Sequence, residues 1–255
     1  MAWLAARLEP DRQVLLWDRP NGCGGSRVVL CSEASEAEMH ADSLESLLTA
    51  LRLPRVILFG SSNGGRMSAF FAAKYPHRAA GVVFQTTTGG GYAASTLAAA
   101  YYRPYAAAAR AGGMAAFMAT SHYRLLCSGG GGGGDDGGVA AENAAALAGA
   151  EAGAVASQFE RWAQYMEARG DPLALFPMAG VDAATLRRVR CPSLCLHSSE
   201  FGDGMHTLEA MEALAGALSA PLVHELDLGK WLPAVRAFMD GLDDGGTGEA
   251  DAPSS

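Results

Sequence analysis

The 255-residue sequence predicts an α/β protein: a parallel sheet flanked by helices, interrupted by a helical lid insertion. Three observations predict it. Short, continuously apolar runs alternate with stretches of helical period, as strands buried on both faces of a parallel sheet do. A glycine-bounded serine turn stands at one junction between such a run and its helix. With 49% apolar and 18% charged residues, the chain is long enough to bury one core of this size.

The first expected strand is QVLLWD at 13–18. A helix follows over 35–53, where Leu44, Leu47, Leu48 and Leu51 recur at i, i+3, i+4 and i+7, and Glu33, Glu36 and Glu38 suit the helix dipole near its start. His40 and His77 are expected on solvated helix surfaces. RVILFG at 55–60 is the second strand, and Met67, Phe70 and Phe71 mark a helix that must stop near Pro76. A third strand is expected over 81–85.

The alternation then lapses into Ala-, Tyr- and Met-rich helical stretches at 94–126 and 139–169, so residues 93–189 are expected to form the lid, with the core made of 1–92 and 190–242. Six consecutive glycines from Gly129, followed by Asp135 and Asp136, predict a flexible spacer over 128–138; without a following Lys-Ser/Thr they are not a phosphate loop. Alternation resumes with the strand CPSLCLH from Cys191, a helix carrying Leu208, Met211, Leu214 and Leu218, a strand at 221–226, and a helix with Trp231, Val235, Phe238 and Met239 on one face. Residues 243–255 read as a flexible tail.

Composition excludes some partners. The net charge of −8, with no basic block, gives no footing for nucleic acid or an anionic membrane. No apolar run reaches the roughly 20 residues that span a bilayer, and Arg7 and Glu9 come too early for a signal peptide. A cytoplasmic protein is expected. Cys23, Cys31, Cys127, Cys191 and Cys195 make an odd set that suits reduced, packed thiols. Nothing argues for a metal or an organic cofactor.

The chemistry lies in Gly60-Ser61-Ser62-Asn63-Gly64, a G-x-S-x-G between strand and helix. Such a turn strains the backbone at its central serine, and glycines at Gly60 and Gly64 let strand and helix approach. Ser62 is the candidate nucleophile, presented at the carboxyl edge of the sheet. The N–H of Asn63 can face a developing oxyanion.

From these residues the chain resembles the α/β-hydrolase superfamily, and within it the branch of esterases and aminopeptidase-like enzymes. WDRPNGCGGS at 17–26 resembles that branch's D-R-x-G-x-G-x-S loop, and FGSSNGGRMSAFFAAKYPHR at 59–78 is similar to its elbow, helix and YP ending. VVFQTTTGGG, CPSLCLH with Asp203-Gly204-Met205-His206, and WLPAVRAFM follow in the family's order.

The resemblance implies an acid at Asp203, with Glu200 as alternative, orienting a histidine. The family's histidine lies after the last strand, where this sequence has none; His206, His224 or no histidine at all are the open choices. The family's second oxyanion donor comes from a His-Gly loop that this sequence also lacks, its opening MAWLAARL resembling the helix after that loop, as in an N-terminally truncated chain. The expected activity is hydrolysis of an ester or amide of a small-molecule substrate through an acyl-enzyme at Ser62. Tyr101, Tyr102, Tyr105, Phe117, Phe159, Trp162 and Tyr165 hint at an apolar substrate, although aromatics at helical spacing are more often packing. His122 is a lid residue within reach of a substrate. The competing readings are a catalytically impaired relative that binds a ligand or partner, and an incomplete gene model of an active hydrolase.

Overall fold

The computed structural model describes residues 2–9, 12–22, 25–30, 33–128, 137–168, 177–198, 203–225 and 230–244. In chain order the elements are α1 (Ala2–Leu8), α2 (Glu36–Ala50), β1 (Val56–Ser61), α3 (Asn63–Lys74), β2 (Ala79–Gln85), α4 (Gly90–Tyr101), α5 (Arg103–Met118), α6 (Ser121–Ser128), α7 (Gly137–Ala148), α8 (Ala152–Ala168), α9 (Ala183–Arg188), β3 (Ser193–His197), α10 (Leu208–Leu218), β4 (Leu222–His224) and α11 (Leu232–Asp244). They form two compact units, one of Met1–Ser32 with Tyr105–Gln158, the other of Glu33–Pro104 with Phe159–Ser255.

The second unit holds a four-stranded sheet in the order β1-β2-β3-β4, every neighbouring pair parallel. Strand alternation sorts its helices onto two faces. Gly81 lies under Phe238 and Leu242 of α11, whereas Phe84, three residues on, lies under Gly65 of α3. Phe59 of β1, paired with Val83 on the α11 side, stacks on Trp231 with centroids 5.8 Å apart. Leu58, Phe71, Val82, Val83, Phe84, Leu194, Met211 and Leu214 fill the space between sheet and helices.

Helix α2 starts where the sequence places it. Ser35 accepts from the Glu38 amide and Glu38 reaches back to Ser35, a reciprocal capping box. Its buried stripe runs through Ala37, His40, Ala41, Leu44 and Leu48, and Leu51 is exposed. His40 therefore corrects the expectation of a solvated histidine: its position falls on the inward face. His77 is exposed, in the turn after α3.

In the first unit, residues 13–18 form no strand. An apolar run becomes a strand only with a partner for its backbone, and among the described residues none pairs with it; Leu15 and Leu16 are exposed. Side chains do the bonding for the following segment instead. The Asn21 amide accepts from Val29 N–H at 2.9 Å and donates to Val29 O at 2.8 Å, and Asn143 accepts from Val28 N–H at 2.8 Å. Ser26 donates to the Asp18 carbonyl, and a Cβ on Gly25 would stand 2.5 Å from Asp18 Oδ2, so this loop folds tightly on its aspartate.

The expected insertion is helical. Gly112 and Gly113 kink α5, and α7 begins at Gly137, inside the segment expected to be a spacer; Gly129–Gly134, Asp135 and Asp136 lie outside the described residues. Phe117 packs on Tyr105 and Tyr123, and Tyr102 on Phe159 and Trp162, so these aromatics serve packing. Cys195 is buried, which pushes its thiol up to about 12. No helix among the described residues is long and apolar enough to cross a membrane.

Candidate active site

β1 ends at Ser61 and α3 begins at Asn63, so one residue makes the whole connection. That residue, Ser62, has φ 49° and ψ −119°, a conformation costly for any residue with a Cβ. Two backbone bonds hold it: Ser62 N–H donates to Gln85 O at the end of β2, and Gly65 N–H donates to Ser62 O, each at 3.0 Å. Its hydroxyl caps no helix amide and is left for other work.

The tight turn needs glycine at specific places. A Cβ on Gly60 would stand 2.7 Å from both Gly64 O and Ser68 Oγ, and one on Gly65 2.4 Å from Thr87 Cγ2. Gly64 differs from expectation, since a Cβ there would meet nothing within 4 Å. Its backbone oxygen, not its missing side chain, is what approaches Gly60. Asn63 is the first residue of α3, where a backbone N–H has no acceptor within its own helix.

Two other predicted residues meet this serine. His206 Nε2 lies 2.9 Å from Ser62 Oγ, and His206 Nδ1 lies 2.9 and 3.0 Å from the two oxygens of Asp203. The carboxylate accepts, so Nδ1 carries the proton and Nε2 presents a lone pair to the Ser62 hydroxyl. Asp203 Oδ1 also accepts from the amides of Met205 at 2.9 Å and His206 at 3.0 Å, so one carboxylate shapes the turn and orients the ring. Burial raises the Asp203 carboxyl, but the hydrogen bonds from His206 and the Met205 amide and the His206 charge outweigh it and hold it below its usual range. The His206 side chain is 10% exposed and that of Asp203 46%.

Outside contacts fix this turn. Gly89 N–H donates to Met205 O at 2.9 Å, Thr207 caps α10 by accepting from the Ala210 amide, and the Tyr92 ring lies where a Cβ on Gly204 would meet it at 3.1 Å. Sequence reasoning missed Gly65, Gly89 and Tyr92, whose roles lie in contacts with segments distant in the chain. His197, which at a strand end reads from sequence as packing or capping, has its Nε2 3.2 Å from His206 O.

The remaining candidates are elsewhere. His224 ends β4 with its ring against His197, centroids 5.0 Å apart. His122 lies 2.8 Å from Asn21 O and packs on Tyr105 and Tyr123 in the first unit. Glu200 lies outside the described residues.

Comparison with known proteins bears on the fold that carries this site. Residues 3–122 match the family described as alpha/beta hydrolase fold. An esterase from Thermogutta terrifontis is similar in structure, with 20% identity, 94% of this chain and 84% of that one covered, and a TM-score of 0.54. An esterase from Rhodococcus sp. ECU1013 is similar at 19% identity, covering 94% and 84%, with a TM-score of 0.52. A putative lipase from Acinetobacter baumannii is similar at 13% identity, covering 88% and 74%, with a TM-score of 0.51. No curated protein matches. The chain has the α/β-hydrolase fold, matched in sequence over residues 3–122 and in fold along most of its length.

Proposed function

We propose that this protein is a serine hydrolase acting on an ester or amide of a small-molecule substrate through an acyl-enzyme at Ser62. The observation that carries the reading is the hydrogen-bonded line from Ser62 Oγ to His206 Nε2 and from His206 Nδ1 to Asp203, starting at a serine with strained backbone. As Ser62 Oγ bonds to the substrate carbonyl carbon, its proton passes to His206 Nε2. Asp203 stabilises the resulting imidazolium, and the Asn63 N–H faces the developing oxyanion. Collapse breaks the bond to the leaving alcohol or amine, which takes the proton from His206. Water then attacks the acyl-enzyme with His206 again as base, releasing the acid and restoring Ser62.

An apolar substrate finds less support than the sequence suggested, since Tyr102, Phe117, Phe159 and Trp162 are buried in packing; Tyr101 remains exposed. The test is labelling with a fluorophosphonate probe. The native chain should label and Ser62→Ala should not. No labelling of the native chain would favour a non-catalytic relative of the fold.

A further inference from the structure

We infer that His197 is a positioning residue that sets the height of His206 over Ser62, an inference that rests on the hydrolase reading above. His197 is the last residue of β3 and is buried, while the Asp203–His206 turn begins six residues later. Asp203 and His206 orient each other within that turn, but nothing inside the turn fixes how far it stands from β1, where Ser62 sits. Besides the Gly89 bond to Met205 O and the Tyr92 contact, one bond reaches the turn from the sheet itself. His197 Nε2 lies 3.2 Å from the backbone oxygen of His206, and a carbonyl only accepts, so Nε2 carries the proton and donates. The donor is rooted in a strand paired on both sides, to β2 and to β4.

The imidazole is a poor choice for packing alone. Its Nδ1 is buried with no hydrogen-bond partner among the described residues, an unfavourable arrangement that a phenylalanine or leucine would avoid. What the imidazole adds is the bond to His206. Its orientation is set in turn by His224, its register partner on β4, whose ring meets it edge-on at 69°. His197 and His224 thus meet edge to face, with His197 bonded to the backbone of the histidine that touches Ser62.

The test compares His197→Phe, which keeps a ring and loses the donor, with His197→Gln, whose terminal amide can reach the place of Nε2. His197→Asn is the second variant: it carries the same amide on a stem one methylene shorter, so it should fold as the glutamine variant does and behave as the phenylalanine variant does. Each full-length variant is measured for fluorophosphonate labelling rate, for kcat and KM on a p-nitrophenyl ester, and for the His206 Nδ1–H proton resonance. Phenylalanine and asparagine should slow labelling and lower kcat by about 10- to 100-fold, since displacement of a catalytic group by about 1 Å costs that much. KM should stay near native, the His206 resonance should shift or broaden, and glutamine should restore all three. Native-like labelling and resonance in His197→Phe and His197→Asn, or no rescue by glutamine, would overturn the inference. If the native chain does not label at all, the hydrolase reading has failed, and the resonance comparison still decides whether His197 holds His206.

Discussion

His206 Nε2 and Ser62 Oγ stand 2.9 Å apart although 144 positions separate them in the chain. The acid that orients His206 is only three residues away from it, on the same turn. The proposed base and acid therefore move together, and their distance from Ser62 depends on how one turn docks over one elbow.

The histidine assignment is separable by substitution. His206→Ala should lower turnover and probe labelling by a factor on the order of 10⁴ or more, because the serine loses its base. His224→Ala should leave activity far closer to native, since that ring touches His197 and not Ser62. Steady-state kinetics on a p-nitrophenyl ester, with labelling alongside, reads both.

Replacing Asp203 by Asn tests the orienting role. The amide cannot hold the proton on His206 Nδ1 as a carboxylate does, and kcat should fall by up to about 10⁴-fold. Stability gives an independent sign. The folded carboxyl is depressed relative to the unfolded one, so its contribution is fully present above the unfolded value of about 4 and fades as pH falls through the folded value. Melting temperatures of the native and Asp203→Asn proteins should differ slightly at neutral pH, the carboxylate being half-exposed, and converge on acidification.

Gly60 and Gly64 should respond in opposite directions. Gly60→Ala drives a Cβ against the Gly64 backbone and should cost about 1–3 kcal/mol, with loss of activity as the elbow shifts. Gly64→Ala enters open space in a helix and should be neutral or stabilising by up to about 1 kcal/mol. Urea denaturation of the two variants checks the pair.

Trp162→Ala should be among the most damaging core changes. The indole is buried against Tyr102 and Phe159 and its Nε1 donates to Ala34 O at 3.1 Å, so truncation leaves a cavity and removes that hydrogen bond. A cost of about 3–5 kcal/mol is expected by equilibrium denaturation, a large part of a domain's stability.

Most of the sheet and the elbow were legible in the sequence because their signals are local. Periodicity marked α2, α3, α10 and α11, β-rich runs marked β1 to β4, and G-x-S-x-G between strand and helix marked Ser62. Legibility failed where an element depends on a neighbour. QVLLWD reads as a strand, yet among the described residues it finds no partner. His40 reads as solvated, yet the turn of α2 brings it inward.

By itself the sequence determined the fold class and marked Ser62 as the candidate nucleophile, since apolar period, turn glycines and a serine between them act within a few residues. Only the tertiary structure put His206, and not His224, beside Ser62, and gave His197 a hydrogen bond to that turn. Which imidazole reaches a hydroxyl depends on where parallel strands end side by side in space, and that register is a property of the packed sheet, not of any stretch of chain.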